Sequence, residues 1–125
     1  MELRILSDKV IGAAMRVHTA LGPGLLESAY EACLAYELAK NDIKARKQVE
    51  CPITYQGVQI DAGYRLDILV EEKIVLEIKA VERLLPLHTA QLLTYLKLSG
   101  FKIGLLLNFN VTSLKTGLKR IVYQL

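Results

Sequence analysis

Residues Gly63–Glu82, GYRLDILVEEKIVLEIKAVE, decide how this chain folds, because charges interrupt their apolar pattern where a sheet would otherwise continue. Tyr64–Val70 and Ile74–Val81 are rich in Ile, Val, Leu and Tyr, as strands are, and Glu71-Glu72-Lys73 separates them. The two runs predict a β-hairpin. Successive side chains on a strand alternate between faces, so Leu66, Ile68 and Val70 are expected on one face, with Ile74, Leu76, Ile78 and Ala80. Arg65, Asp67, Glu77 and Lys79 take the other. With residues 71 to 73 as the loop, Val70 lies opposite Ile74, and counting outward sets Asp67 against Glu77 and Arg65 against Lys79. Two carboxylates then face each other.

Cross-strand Cβ atoms lie about 4.5–5.5 Å apart, where like charges destabilise, so this pair asks for a cation between them. A hard divalent ion with oxygen ligands answers that need. Mg²⁺, or Mn²⁺ in its place, takes one or two carboxylates and completes its shell with water and phosphate oxygens. Asp67 and Glu77 are therefore candidate metal ligands, and Lys79, on the same side, is a candidate for positioning or activating water. Metal-assisted phosphodiester hydrolysis uses such a set. The competing reading is an ordinary charged sheet face in which Lys79 and Arg65 neutralise the acids. The register itself is an assumption, since Glu-Glu-Lys lacks the Gly usual in a three-residue hairpin loop.

The chain has 125 residues, enough for one hydrophobic core, so residues 1–125 are read as a single domain. Hydrophobic residues make up 52% and charged ones 23%, which excludes a disordered or low-complexity chain. No long apolar run or signal-peptide pattern occurs, which predicts a cytoplasmic protein without membrane contact. The two cysteines, Cys33 and Cys51, lack metal-ligand spacing and are expected to be reduced and buried. A net charge of +3 permits an anionic partner without demonstrating one. Its one dense cluster is Lys40, Lys44, Arg46 and Lys47, where a solvated helix end is the plain reading.

Ser7 is placed to cap a first helix, along which Val10, Ile11, Ala14, Val17, His18 and Leu21 recur at helical spacing. His18 reads as a core histidine. Leu21-Gly22-Pro23-Gly24 ends that helix, and a second is expected over Leu25–Asn41 with Leu26, Ala29, Tyr30, Cys33, Leu34 and Leu38 as its apolar stripe. Glu27 sits in its first turn, where an acid complements the helix dipole by roughly 0.3–1 kcal/mol. Tyr30 either orients Glu27 or fills the core. Ala45–Tyr55 reads as a strand, edge or bulged because Pro52 lacks a donor, and Val58–Ala62 leads toward the hairpin. Pro86 suits the start of a helix that stops at Gly100; it presents His88, Gln91 and Tyr95 on one face and Leu92, Leu93 and Leu96 to the core. Phe101–Leu107 reads as a strand buried on both faces and paired in parallel, which makes the sheet mixed. A polar loop, a short helical turn near Leu114–Leu118 and an edge strand over Lys119–Leu125 complete the chain.

The order Asp67, then Glu77-Ile78-Lys79, with a helix before and a helix bearing Gln91 after, resembles the PD-(D/E)XK nuclease superfamily. Leu66 stands where the superfamily's name has Pro. More narrowly, Gly24-Leu25-Leu26-Glu27-Ser28-Ala29-Tyr30 resembles the signature of the small bacterial GxxExxY proteins, as do Val17–Gly24, Glu77–Pro86, Gln91–Leu96 and Asn108-Phe109-Asn110. The resemblance implies an α/β, nuclease-like core: a mixed sheet flanked by helices in the order ααβββαβ, with a short helix and edge strand appended. It implies Asp67 and Glu77 as metal ligands, Lys79 as the catalytic lysine and Gln91 as the accessory residue. Glu27 as a further acid beside the metal stands even with its helix-dipole role. The function expected is Mg²⁺-dependent hydrolysis of nucleic acid, with Gln91 and Tyr95 steering the phosphate. A catalytically silent interaction or regulatory protein on the same fold is the alternative. So small a protomer offers little surface for gripping a duplex, which is consistent with a homodimer.

Overall fold

The strand Ile74–Lys79 runs parallel to Ile103–Asn108, with Ile74 level with Ile103 and Lys79 level with Asn108. A parallel pair needs a crossover, and the helix Pro86–Ser99 supplies it, started by its proline and ended at Gly100 with φ of 84°. In this computed structural model, which describes residues 1–124, the elements are α1 (Leu3–Leu21), α2 (Glu27–Lys40), β1 (Ala45–Glu50), β2 (Ile53–Tyr55), β3 (Val58–Ile60), β4 (Arg65–Val70), β5 (Ile74–Lys79), α3 (Pro86–Ser99), β6 (Ile103–Asn108), a 3₁₀ turn (Leu114–Gly117) and β7 (Leu118–Val122). The main sheet has the order β1-β4-β5-β6-β7. Only β5–β6 is parallel, so the sheet is mixed as expected, with β1 and β7 at its edges.

Both faces of the sheet are covered. On one, Leu6, Val10, Tyr30 and Leu34 of α1 and α2 pack with Ile68, Leu76, Leu105 and Phe109. On the other, Leu92 and Leu96 of α3 pack with Leu69, Val75 and Leu106. This two-sided burial explains why all six residues of β6 are buried.

Several local expectations are corrected. α1 begins at Leu3, ahead of Ser7, because Leu3 and Leu6 extend the apolar stripe; Ser7 is buried within the helix and its hydroxyl has no partner. On α2 the buried residues are Tyr30, Leu34 and Leu38, one turn apart; Leu26 and Cys33 are exposed, and only Cys51 is a buried cysteine. The predicted strand Ala45–Tyr55 is two strands. Pro52 interrupts the pairing, and Ile53–Tyr55 turns back on Val58–Ile60 as a separate two-stranded sheet. Leu93 faces outward, since Leu92 and Leu96 already line the inner face of α3. The last strand ends at Val122, and Leu125, included in the predicted strand, lies outside the described residues.

The hairpin loop holds the register by unusual means. Glu71 and Glu72 have φ of 52° and 54°, a left-handed conformation that costs an L-residue roughly 1–2 kcal/mol. Their side chains offset part of that cost. Glu71 Oε2 accepts the Lys44 N–H at 2.7 Å, and Glu72 accepts two bonds from the Arg46 guanidinium, both at 2.8 Å. Val70 accordingly pairs with Ile74, as the count predicts.

Candidate functional site

Pairing between β4 and β5 runs from Val70–Ile74 to Ile68–Leu76 and then stops. Beyond it the two acids occupy the gap. The Asp67 N–H donates to Glu77 Oε2 at 3.0 Å, and the Ile78 N–H donates to Asp67 Oδ2 at 2.7 Å. Each carboxylate thus takes the place of a ladder carbonyl for the opposite strand. The expectation of two acids facing each other across an intact ladder is corrected to two acids wedged reciprocally into a split.

A second distortion lies on the other side of Asp67. The β1–β4 ladder keeps one register throughout but omits the pair Gln48–Asp67, and Gln48 has φ of 54°. Side chains change face there. Leu66 packs with the α3 layer while Ile68 and Val70 pack with α1 and α2, which corrects the shared face expected for the three. The switch lets Asp67 line a cavity of about 260 Å³ with Glu27, Ser28, Glu31, Gln48 and Ile78.

Glu27 arrives through the turn that precedes α2. The buried Tyr30 hydroxyl donates to the Gly22 carbonyl at 2.6 Å and accepts the Leu25 N–H at 3.1 Å, while its ring stacks on Phe109 at 4.6 Å. The spacing from Gly24 to Tyr30 is therefore the geometry of a clip on that turn, and Tyr30 belongs to the core. Glu27, one turn before it, accepts the Ala80 N–H at 3.3 Å just past the end of β5. Glu31, four residues on, accepts from Gln48 Nε2 at 2.7 Å. Glu31 is a site residue absent from the sequence-based candidates, although an acid at i+4 from Glu27 shares its helix face.

Lys79 and Gln91 meet as well: Lys79 Nζ lies 3.4 Å from Gln91 Oε1. Tyr95 is only 7% exposed, with its ring 6.0 Å from that of Tyr64. His88 caps its own helix, Nδ1 accepting the Leu85 N–H at 2.9 Å. His18 is a core residue, its Nε2 bonded to the Val111 carbonyl at 2.7 Å. Arg65 does not neutralise the acids; it bonds to Asp61 and to the Tyr64 carbonyl. Asn108 is a further positioning residue: its amide bonds to both the N–H and the carbonyl of Val81, fixing the exit of β5.

Burial governs the electrostatics. Glu77 is 4% exposed, and burial first, then the Asp67 charge, push its carboxyl up to about 8. Burial also raises Asp67, which the Ile78 N–H partly offsets. Tyr95 is pushed up to about 12 by burial and then by Glu77, so its hydroxyl keeps its proton at neutral pH. Two acids of raised pKa, Glu77 buried and Asp67 half-buried, each with one oxygen bonded to backbone, suit a hard cation at their other oxygens. Among the described residues no three His, Cys, Asp or Glu side chains form a ready-made metal cage, so Asp67, Glu77 and Glu27 do not stand as a preformed three-ligand set. Mg²⁺ does not need one, since it keeps several waters.

A mixed five-stranded sheet between helices, split at two opposed acids, with a lysine two residues beyond the second, is an α/β fold of the nuclease type. The chain belongs to the PD-(D/E)XK nuclease superfamily, whose family model matches residues 4–121. No curated protein and no solved structure matches it significantly. No helix among the described residues is long and apolar enough to cross a membrane.

Proposed function

We propose that this protein is a Mg²⁺-dependent nuclease that hydrolyses phosphodiester bonds in nucleic acid. The observation that carries the reading is the split hairpin: half-buried Asp67 and buried Glu77, each bonded to the other's strand, with the Lys79–Gln91 contact beside them. Asp67 and Glu77 would hold the metal, with Glu27 adjoining the shell. Bound there, Mg²⁺ supplies charge neutralisation at the phosphoryl oxygens and a more acidic water. Lys79 orients or deprotonates the attacking water, and Gln91, bonded to it, steers a phosphate oxygen. Tyr95, almost wholly buried on the same helix as Gln91, supports the phosphate-steering side from within the core. The Gly24, Glu27 and Tyr30 signature supports the narrower kinship with the GxxExxY proteins. The cytoplasm is the setting this reading takes, and residues 1–125 act as one domain, alone or as a homodimer.

Purified protein with Mg²⁺ or Mn²⁺ is expected to cleave DNA or RNA, offered as single strands and duplexes. Lys79→Ala should lower the rate by roughly 100-fold or more, within the range one general acid–base group contributes. Cleavage of no substrate form, or an unchanged rate in Lys79→Ala, would end this reading.

One observation favours a second reading. The acids already brace the strands through backbone bonds, and a brace needs no chemistry. A silent interaction protein would keep the brace and bind no metal. Titration calorimetry with Mn²⁺ separates the two: binding that disappears in Asp67→Asn supports the hydrolase, and no binding supports the brace.

A further inference from the structure

The two sides of the split differ in charge. The cavity on the α2 side is lined by Glu27, Glu31 and Asp67 and by no lysine or arginine, so a bound cation would be the one positive charge it offers a polyanion. On the opposite side, β5 ends level with β6 at Lys79 and Asn108, and a second cavity, of about 310 Å³, opens beside Asn108. Its lining includes Glu82, Arg83, Asn108, Thr116, Gly117 and Lys119. Lys119 leans toward α3, its Nζ 3.4 Å from Thr89 Oγ1. Gly117 permits the close fit, because a Cβ there would overlap the Asn108 carbonyl oxygen.

The salt bridges among the described residues involve Arg4, Arg16, Arg46 and Arg65. Arg83 and Lys119 enter none of them, even though Glu82 lines the same cavity. Two exposed cations without acidic partners therefore border a concavity next to the Lys79 strand end. Resting on the nuclease reading, we propose that Arg83 and Lys119 bind a backbone phosphate neighbouring the scissile one. The nucleic acid then crosses the sheet end from Lys79 toward β7 and away from α2. A guanidinium and an ammonium reaching one phosphate fix the position of the strand and carry no base information.

The test is fluorescence anisotropy with Mg²⁺ and the Lys79→Ala protein, which cuts slowly enough to leave the ligand largely intact during the measurement. The probes are a short labelled DNA duplex and the same sequence as single-stranded DNA and as RNA, and the tightest binder is followed. Adding Arg83→Ala and Lys119→Ala is expected to weaken binding about tenfold or more at moderate salt. The slope of log affinity against log salt should become shallower by about 1, for the one phosphate the two cations share. Lys40→Ala with Lys44→Ala, the basic cluster at the other end of β1, should leave both quantities unchanged. Unaltered affinity in the Arg83–Lys119 variant, or an equal loss in the Lys40–Lys44 variant, overturns the proposal. If wild type cleaves while the Arg83–Lys119 variant binds undiminished, only the groove is refuted; if no probe binds and wild type cleaves nothing, the nuclease reading falls with it.

Discussion

At the scale of single residues, Glu77 carries the clearest consequence. Folded, it holds its proton up to about pH 8, whereas the unfolded chain releases it near 4.5. Between those values the folded state binds more protons, so the stabilisation is complete below about pH 4.5 and is lost as pH rises through 8. The raised Asp67 carboxyl acts in the same direction. Metal-free protein is therefore expected to lose on the order of 2–4 kcal/mol of stability from this site across that window. Glu77→Gln, which keeps an acceptor for the Asp67 N–H and carries no charge, should flatten the profile and be the more stable protein at pH 8. Urea denaturation at several pH values, with chelator present, measures both. A wild-type profile as flat as that of the variant would show that folding does not raise this carboxyl.

Among elements, the turn between α1 and α2 matters most, because it decides where Glu27 arrives. Tyr30 closes it with two hydroxyl bonds and one ring stack. Tyr30→Phe keeps the stack and removes the bonds, leaving the Gly22 carbonyl and the Leu25 N–H without that partner. The expected cost is about 1–2 kcal/mol in urea denaturation. Because Glu27 lies one turn from the lost clip, its hold on the Ala80 N–H should loosen too. Cleavage by Tyr30→Phe is then expected to fall, though less than in Lys79→Ala. Stability equal to wild type would mean that the hydroxyl is incidental and that packing alone sets the turn. The hairpin loop uses a comparable device, since Glu71 and Glu72 hold a left-handed turn by bonding to β1.

For the whole molecule, the arrangement of layers separates stability from chemistry. The ends of β5 and β6, the start of α2 and the loops around Arg83 and Gly117 gather at one end of the sheet's strands. The β2–β3 hairpin stands outside that sheet, with Tyr55 62% exposed and Val58 59% exposed. Changing Val58→Asp with Ile60→Lys should therefore shift unfolding by no more than about 0.5 kcal/mol. Leu105→Ala, in the wholly buried interior strand β6, should cost about 2–5 kcal/mol. Thermal and urea unfolding of the two variants makes the comparison. A hairpin variant as damaged as Leu105→Ala would mean that the small sheet is part of the core.

The residues of the chain by themselves determined the elements whose rules are local. Val70 opposite Ile74, the proline start and glycine stop of α3, and the two-sided burial of β6 follow from period and turn chemistry within a few residues. They also named the acids and the lysine, because charges inside an apolar strand pattern stand out wherever the strand lies. Only the tertiary structure decided how those charges meet. The halt of the ladder at Asp67, the left-handed Gln48, the arrival of Glu31, the exposure of Cys33 and the pairing of Lys79 with Gln91 each depend on segments distant in sequence. A periodic pattern says which side chains share a face. Which face is covered, and where a ladder opens, is set by the neighbour that packs there.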